Sequence, residues 1–284
     1  MRNLLALWMI IGWISVPPVG GRFIQAASPP ISENEWGNLK GQIIVQGSLP
    51  FIDNESIPAE LAICINGGLG IKDDNLLVGP SGGLADVFIM LVPDDEQAIP
   101  RVHPDYETAA EPSVTLEFDN CRLHPHALIL RSNQKLILKN NDPVGHHCQI
   151  ETYQNAANLL VARQSEYSFR FDKSDRTPGK VTCGIHKWID ALILVKDHPY
   201  NVISGSDGKF EILNIPAGKW KFMFWHSKTG YMNEMKVSGF TVDRRGEITT
   251  QILPNHTLDL GEIMVPSTAF QSAYTAEDGP PNRD

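Results

Sequence analysis

A thiol and an imidazole three residues apart are the first groups in this sequence whose chemistry goes beyond packing. Cys183 and His186 lie in Val181-Thr182-Cys183-Gly184-Ile185-His186-Lys187-Trp188-Ile189, and a second imidazole, His146, lies well upstream in Asn140-Asn141-Asp142-Pro143-Val144-Gly145-His146-His147. One thiolate and two imidazoles from two loops can make a trigonal metal site. Copper suits that set, because a soft thiolate holds Cu(I) while imidazole tolerates Cu(II). Zinc can use the same donors but normally takes a fourth ligand. A rigid pair of loops also limits rearrangement between redox states, as electron transfer requires.

The neighbouring donors carry competing readings. His147 is a loop histidine or a competing ligand. Cys148 shares a strand face with His146, two residues away, and is a buried hydrophobe or a group in contact with the metal. His124 and His126 have strand spacing, so with Cys121 they are weighed as a second metal site against ordinary core or turn roles. His226 follows Phe222-Met223-Phe224-Trp225 and reads as structural. Trp188 either covers the site or packs in the core. Other chemistries find no support: there is no phosphate-binding Gly-Lys-Ser/Thr loop and no dinucleotide fingerprint in a βαβ setting. Gly205-Ser206-Asp207-Gly208 is a hairpin turn rather than a serine elbow, and the acidic runs Asp73-Asp74 and Asp94-Asp95-Glu96 lack calcium-loop spacing. No enzymatic activity is expected.

The elements that must position these groups read as strands. Short β-rich runs recur at Gly41 to Gln46, Ala85 to Val92, Val114 to Phe118, Ala127 to Arg131 and Leu136 to Lys139. They continue at Tyr167 to Phe171, Lys180 to Cys183, Leu192 to Lys196, Lys209 to Leu213, Trp220 to His226 and Glu247 to Ile252. Many short strands punctuated by 23 glycines and 20 prolines indicate an all-β chain and disfavour a helical bundle. Only the N-terminal leader and Ile57 to Ile63 have helical character. With 284 residues, 42% of them hydrophobic, a packed core is expected and wholesale disorder is excluded. The net charge of −9 argues against a nucleic-acid partner.

Residues 1–27 read as a signal peptide: a positive start, an apolar run from Leu4 to Val16, Pro17-Pro18, then small residues at Ala26 and Ala27. An uncleaved anchor is the competing reading. The mature chain is expected to be soluble and periplasmic or extracellular, where disulfides form. Cys64 and Cys121 are the expected pair. Residues 267–284, rich in Pro, Gly and Asp, are expected to be disordered.

The two ligand segments and His198-Pro199-Tyr200 together resemble cupredoxins of the plastocyanin and amicyanin type, and more closely exported cupredoxin-like proteins labelled methylamine-utilisation-like. Those share an N-x-D-P-x-x-H-N segment, then C-x-I-H-x-W-M and H-P-Y. The resemblance extends over roughly Gly37 to Val265. It implies a Greek-key sandwich and a type 1 copper site with His146, Cys183 and His186 as ligands. Two positions depart from the pattern: Ile189 stands where relatives place an axial methionine, which should favour Cu(I), and His147 replaces an asparagine. Ser206-Asp207-Gly208-Lys209-Phe210-Glu211-Ile212 and Ile215-Pro216-Ala217-Gly218-Lys219-Trp220 resemble the carboxypeptidase-regulatory-like (transthyretin-like) sandwich, which implies a scaffold.

The expected organisation is a cupredoxin-like domain with an N-terminal β extension over 28–199 and the smaller sandwich over 200–266. The leading function is single-electron transfer through one copper to a redox protein of unknown identity, with His186 as the exit near the surface. A non-redox extracytoplasmic binding or structural module with a vestigial metal site is the alternative. Copper storage or delivery, using Cys148 or His147 as well, is a third.

Overall fold

The computed structural model describes residues 35–49, 55–56, 70–71, 74–93, 100–108, 113–132 and 134–271. The expected signal peptide, the Ile57 to Ile63 segment and Cys64 lie outside these residues. Strand β1 (Trp36–Gln46) is followed by the short β2 (Glu55–Ser56) and β3 (Gly70–Ile71), then by β4 (Phe88–Val92). After helix α1 (Pro104–Thr108) come β5 (Ser113–Asp119), β6 (Arg122–His124), β7 (Ala127–Arg131) and β8 (Lys135–Asn140). The middle of the chain forms β9 (His146–Glu151), β10 (Ala156–Val161), β11 (Glu166–Phe169), β12 (Gly179–Cys183) and β13 (Asp190–Lys196). The rest forms β14 (Asn201–Ile203), β15 (Lys209–Pro216), β16 (Gly218–His226), β17 (Gly230–Tyr231), β18 (Glu247–Ile252) and β19 (Thr257–Pro266). The protein is all-β, as its turn-punctuated sequence implies. Among the described residues no helix is long and apolar enough to cross a membrane.

Four larger sheets carry the fold, ordered β15-β1-β19, β14-β4-β16-β17 with β18 on β16, β10-β9-β12-β13-β7, and β11-β8-β5-β6. Strand alternation shows how they stack. In β4, Ile89 and Leu91 join one core with Leu39, Ile43, Phe222 and Phe224, while Phe88 and Met90 join another with Met223, Leu192 and Leu194. In β13, Leu192 and Leu194 face that middle core, while Ala191, Ile193 and Val195 face a third with Leu116, Phe118, Leu136 and Leu138. Two sandwiches therefore stand back to back. We call the pair built on β1 and β4 the outer sandwich and the pair built on β8 and β9 the site sandwich. Strand β4 and the Ala191–Val195 stretch of β13 are apolar throughout because both of their faces are buried, whereas β15, with one wet face, alternates.

Two boundaries expected from sequence are corrected. Strands β1 and β4 precede Tyr200, yet β1 pairs with β15 and β19, and β4 pairs with β14 and β16. The outer sandwich is thus closed by both parts of the chain, not by 200–266 on its own. Order also continues past 266. Ser267–Phe270 forms a 3-10 turn, and Phe270 is fully buried with its ring against His226. Burial of the Phe270 ring in the outer core holds this segment. The Asp207-Gly208 turn forms as expected, with Gly208 at φ +79 and its N–H bonded to the Gly205 carbonyl.

Candidate metal centre

The site sits at one end of the site sandwich, where β8 runs into β9 and β12 turns into β13. Asn140 ends β8, and its side-chain amide donates to the carbonyls of Val144, Val161 and Ala162, at 2.8, 3.2 and 3.0 Å. That clamp fixes the loop 141–145. Asp142 donates its N–H back to Asn140 Oδ1. The loop delivers His146 as the first residue of β9. Its ring stacks on Phe118 of β5, with centroids 4.4 Å apart and planes 8° from parallel.

The second loop is a tight reversal. Cys183 N–H donates to the Ile189 carbonyl, and Ile189 N–H donates to that of His186, so the turn closes on itself. Gly184 N–H donates to the His147 carbonyl, which ties the two loops together through backbone. A side chain at Gly184 would collide with the His147 ring.

These loops bring the three expected donors together. Cys183 Sγ lies 3.7 Å from His146 Nδ1 and 3.7 Å from His186 Nδ1, and the two nitrogens lie 3.2 Å apart. A triangle with those sides has one in-plane point about 2.1 Å from every corner, inside the roughly 2.0–2.3 Å range of metal–nitrogen and metal–sulfur bonds. All three side chains are buried, His146 completely. Burial of His186 corrects the expectation that it reaches the surface. Its ring turns inward against Trp188, 5.2 Å away and edge-on, and the exposed residues of the loop are Ile185 and Lys187.

The electrostatics favour a thiolate beside imidazole. Burial opposes ionisation of Cys183, but the bond to His146 and the N–H groups of His186, Ile185 and His147 outweigh it and lower the thiol pKa. His186 N–H lies 3.4 Å from the sulfur. Burial also opposes protonation of His146, yet Asp142 and Cys183 raise its pKa on balance. His186 is lowered, by burial first and by neighbouring His146 second.

The other candidates fall outside the site or serve it structurally. Cys148 is a free, fully buried thiol opposite Cys183 across the β9–β12 ladder, pushed up to about 12 by burial and then by Cys183. It packs as a hydrophobe. His147 points to the wet face and meets Asn158 Oδ1 at 2.6 Å. His124 is exposed, and His126 pairs with Asp86 at 2.7 Å rather than with Cys121. His226 is buried against Phe270.

Cys121 calls for a distinction. With His146 and His186 it forms a group whose potential ligand atoms all lie within 4.8 Å of one another. Its sulfur is already in a disulfide, however, so it has no thiolate to give, and Cys183 is the free sulfur beside the two rings. Sequence reading missed what Cys121 and Asp142 do here. The Cys121 N–H donates to Asp142 Oδ2, and its carbonyl accepts the Trp188 Nε1–H at 3.2 Å. The one available signal was a carboxylate four residues ahead of a ligand histidine.

No family model and no curated protein sequence matches the chain. Solved cupredoxins resemble it in structure. The reduced Cu(I) form of an amicyanin variant is 12% identical, with a TM-score of 0.27, covering 38% of this chain and 98% of that one. Amicyanin from Paracoccus versutus gives 11%, 0.27, 38% and 97%. A purple cupredoxin from Nitrosopumilus maritimus gives 16%, 0.25, 29% and 98%. Similarity at this level carries no functional weight, and the donor geometry stands by itself.

Proposed function

We propose that this protein is an exported copper protein that transfers single electrons, with His146, Cys183 and His186 holding one type 1 ion. The observation that carries the reading is the triangle of one sulfur and two Nδ1 atoms, preformed in a buried pocket. When bound, copper supplies the one-electron couple between Cu(I) and Cu(II). The chain supplies a sulfur held ready to ionise, two fixed imidazoles and the exclusion of water. Because the donors are covered, no substrate can reach them, which suits a carrier rather than an enzyme. Electrons then leave past Trp188, whose ring lies against His186, to a redox protein partner. The disulfide at Cys121 supports export, since such bonds persist in oxidising compartments.

The second reading, a non-redox extracytoplasmic module with a vestigial site, draws on buried Ile189, which gives no axial donor. Adding Cu(II) to the purified protein separates the two. An intense visible charge-transfer band with one copper per chain, lost in Cys183→Ser, supports the carrier. A colourless protein without tight copper uptake supports the module.

A further inference from the structure

We infer that Asp142 is a positioning residue for this centre: its carboxylate fixes the tautomer of His146 and loads that one ring with negative charge. The inference rests on reading His146 as a ligand. Asp142 is 2% exposed, and its Oδ2 lies 2.8 Å from His146 Nε2. The same oxygen accepts the Cys121 N–H at 3.1 Å. The Asp142 backbone donates to Asn140, itself clamped to three carbonyls, so the carboxylate is held from both ends.

An ionised carboxylate can only accept, so the proton of a neutral His146 sits on Nε2 and the lone pair is left on Nδ1. Nδ1 is the atom that faces Cys183 and His186. Stacking on Phe118 keeps the ring plane from rotating away, and burial of Asp142 shields Oδ2 from solvent. Carboxylate–histidine–metal arrangements of this kind orient the ligand and raise its basicity. His186 is different. Among the described residues no carboxylate hydrogen-bonds to its ring, which lies against Trp188. The centre is therefore asymmetric, with a carboxylate behind one imidazole and none behind the other.

A buried negative charge behind one ligand stabilises the more positive metal. Asp142 thus opposes the preference for Cu(I) that an apolar neighbour at Ile189 creates.

Two measurements test this. In metal-free Cys183→Ala, which has no thiolate to draw a proton to Nδ1, nitrogen-15 NMR should find His146 as the Nε2–H tautomer; a proton on Nδ1 with none on Nε2 overturns the inference. In Asp142→Asn, Cu(II) affinity should fall by about 10–100-fold, Cu(I) affinity should fall less, and the reduction potential should rise. Equal losses for both ions, or no change in their ratio, would reduce Asp142 to a structural role. A wild-type protein that takes up no copper defeats the carrier reading, whereas the tautomer measurement still decides the role of Asp142.

Discussion

The two sandwiches share a wall and a design, yet they arrange their buried polar groups differently. Each has a strand apolar on both faces, β4 in the outer sandwich and β13 in the site sandwich. The outer core is filled by Trp36, Leu39, Ile43, Phe210, Phe222 and Phe224, and the polar side chains it buries, Ser204, His226, Glu247 and Thr250 among them, form no metal-holding group among the described residues. The site sandwich buries Asn140, Asp142, His146 and His186 at one end. A buried polar group left unpaired costs about 1–3 kcal/mol. In the site sandwich Asn140, Asp142 and His146 are tied to one another or to backbone, and aromatic rings pack against the pocket. The site sandwich gathers four of its buried polar groups into one pocket on an apolar frame.

That contrast can be broken in several ways. The largest effect is expected from Phe224→Ala, fully buried in the outer core, which should cost about 3–5 kcal/mol in denaturant unfolding. The folded variant should keep the wild-type Cu(II) spectrum; losing the band while the fold persists would show that the sandwiches are not separable. Acid should weaken the outer sandwich next. Burial pushes His226 down to about 4, with His126 and Lys228 acting in the same direction and Asp86 against them. The unfolded side chain titrates near 6.5, so this contribution is whole above about pH 6.5 and is lost as pH falls towards 4. The loss is on the order of 3 kcal/mol, and His226→Phe should flatten stability against pH across that window. A variant as acid-sensitive as wild type would place the titration elsewhere. The smallest effect is expected from Trp188→Phe, which keeps a ring beside His186 but gives up the bond to the Cys121 carbonyl. It should cost about 0.5–1.5 kcal/mol and shift the visible band; a changed stability with an unmoved spectrum would separate Trp188 from the site.

How much of this could be read in the chain differs between the sandwiches for physical reasons. Strands such as Ala127–Arg131 and Glu247–Ile252 are legible because their apolar and β-branched residues are dense and turn residues bound them. Strand β9 is not, since His146-His147-Cys148-Gln149 looks polar until the polar residues prove to be site and wet-face positions. Strand β19 is hidden by Gly261, at φ +66 in its middle. The pairing of β1 with β15 and β19 joins opposite ends of the chain, and no local pattern announces it. The three donors were legible as a motif. The clamp of Asn140, the Phe118 stack and the Cys121–Asp142–His146 chain were not, because each depends on a contact between different strands or loops.

X-ray absorption at the copper edge of the loaded protein tests the converging donors most directly. One sulfur and two nitrogens within about 2.3 Å are expected, from Cys183, His146 and His186. A first shell with no sulfur, or one that survives Cys183→Ser unchanged, would contradict it.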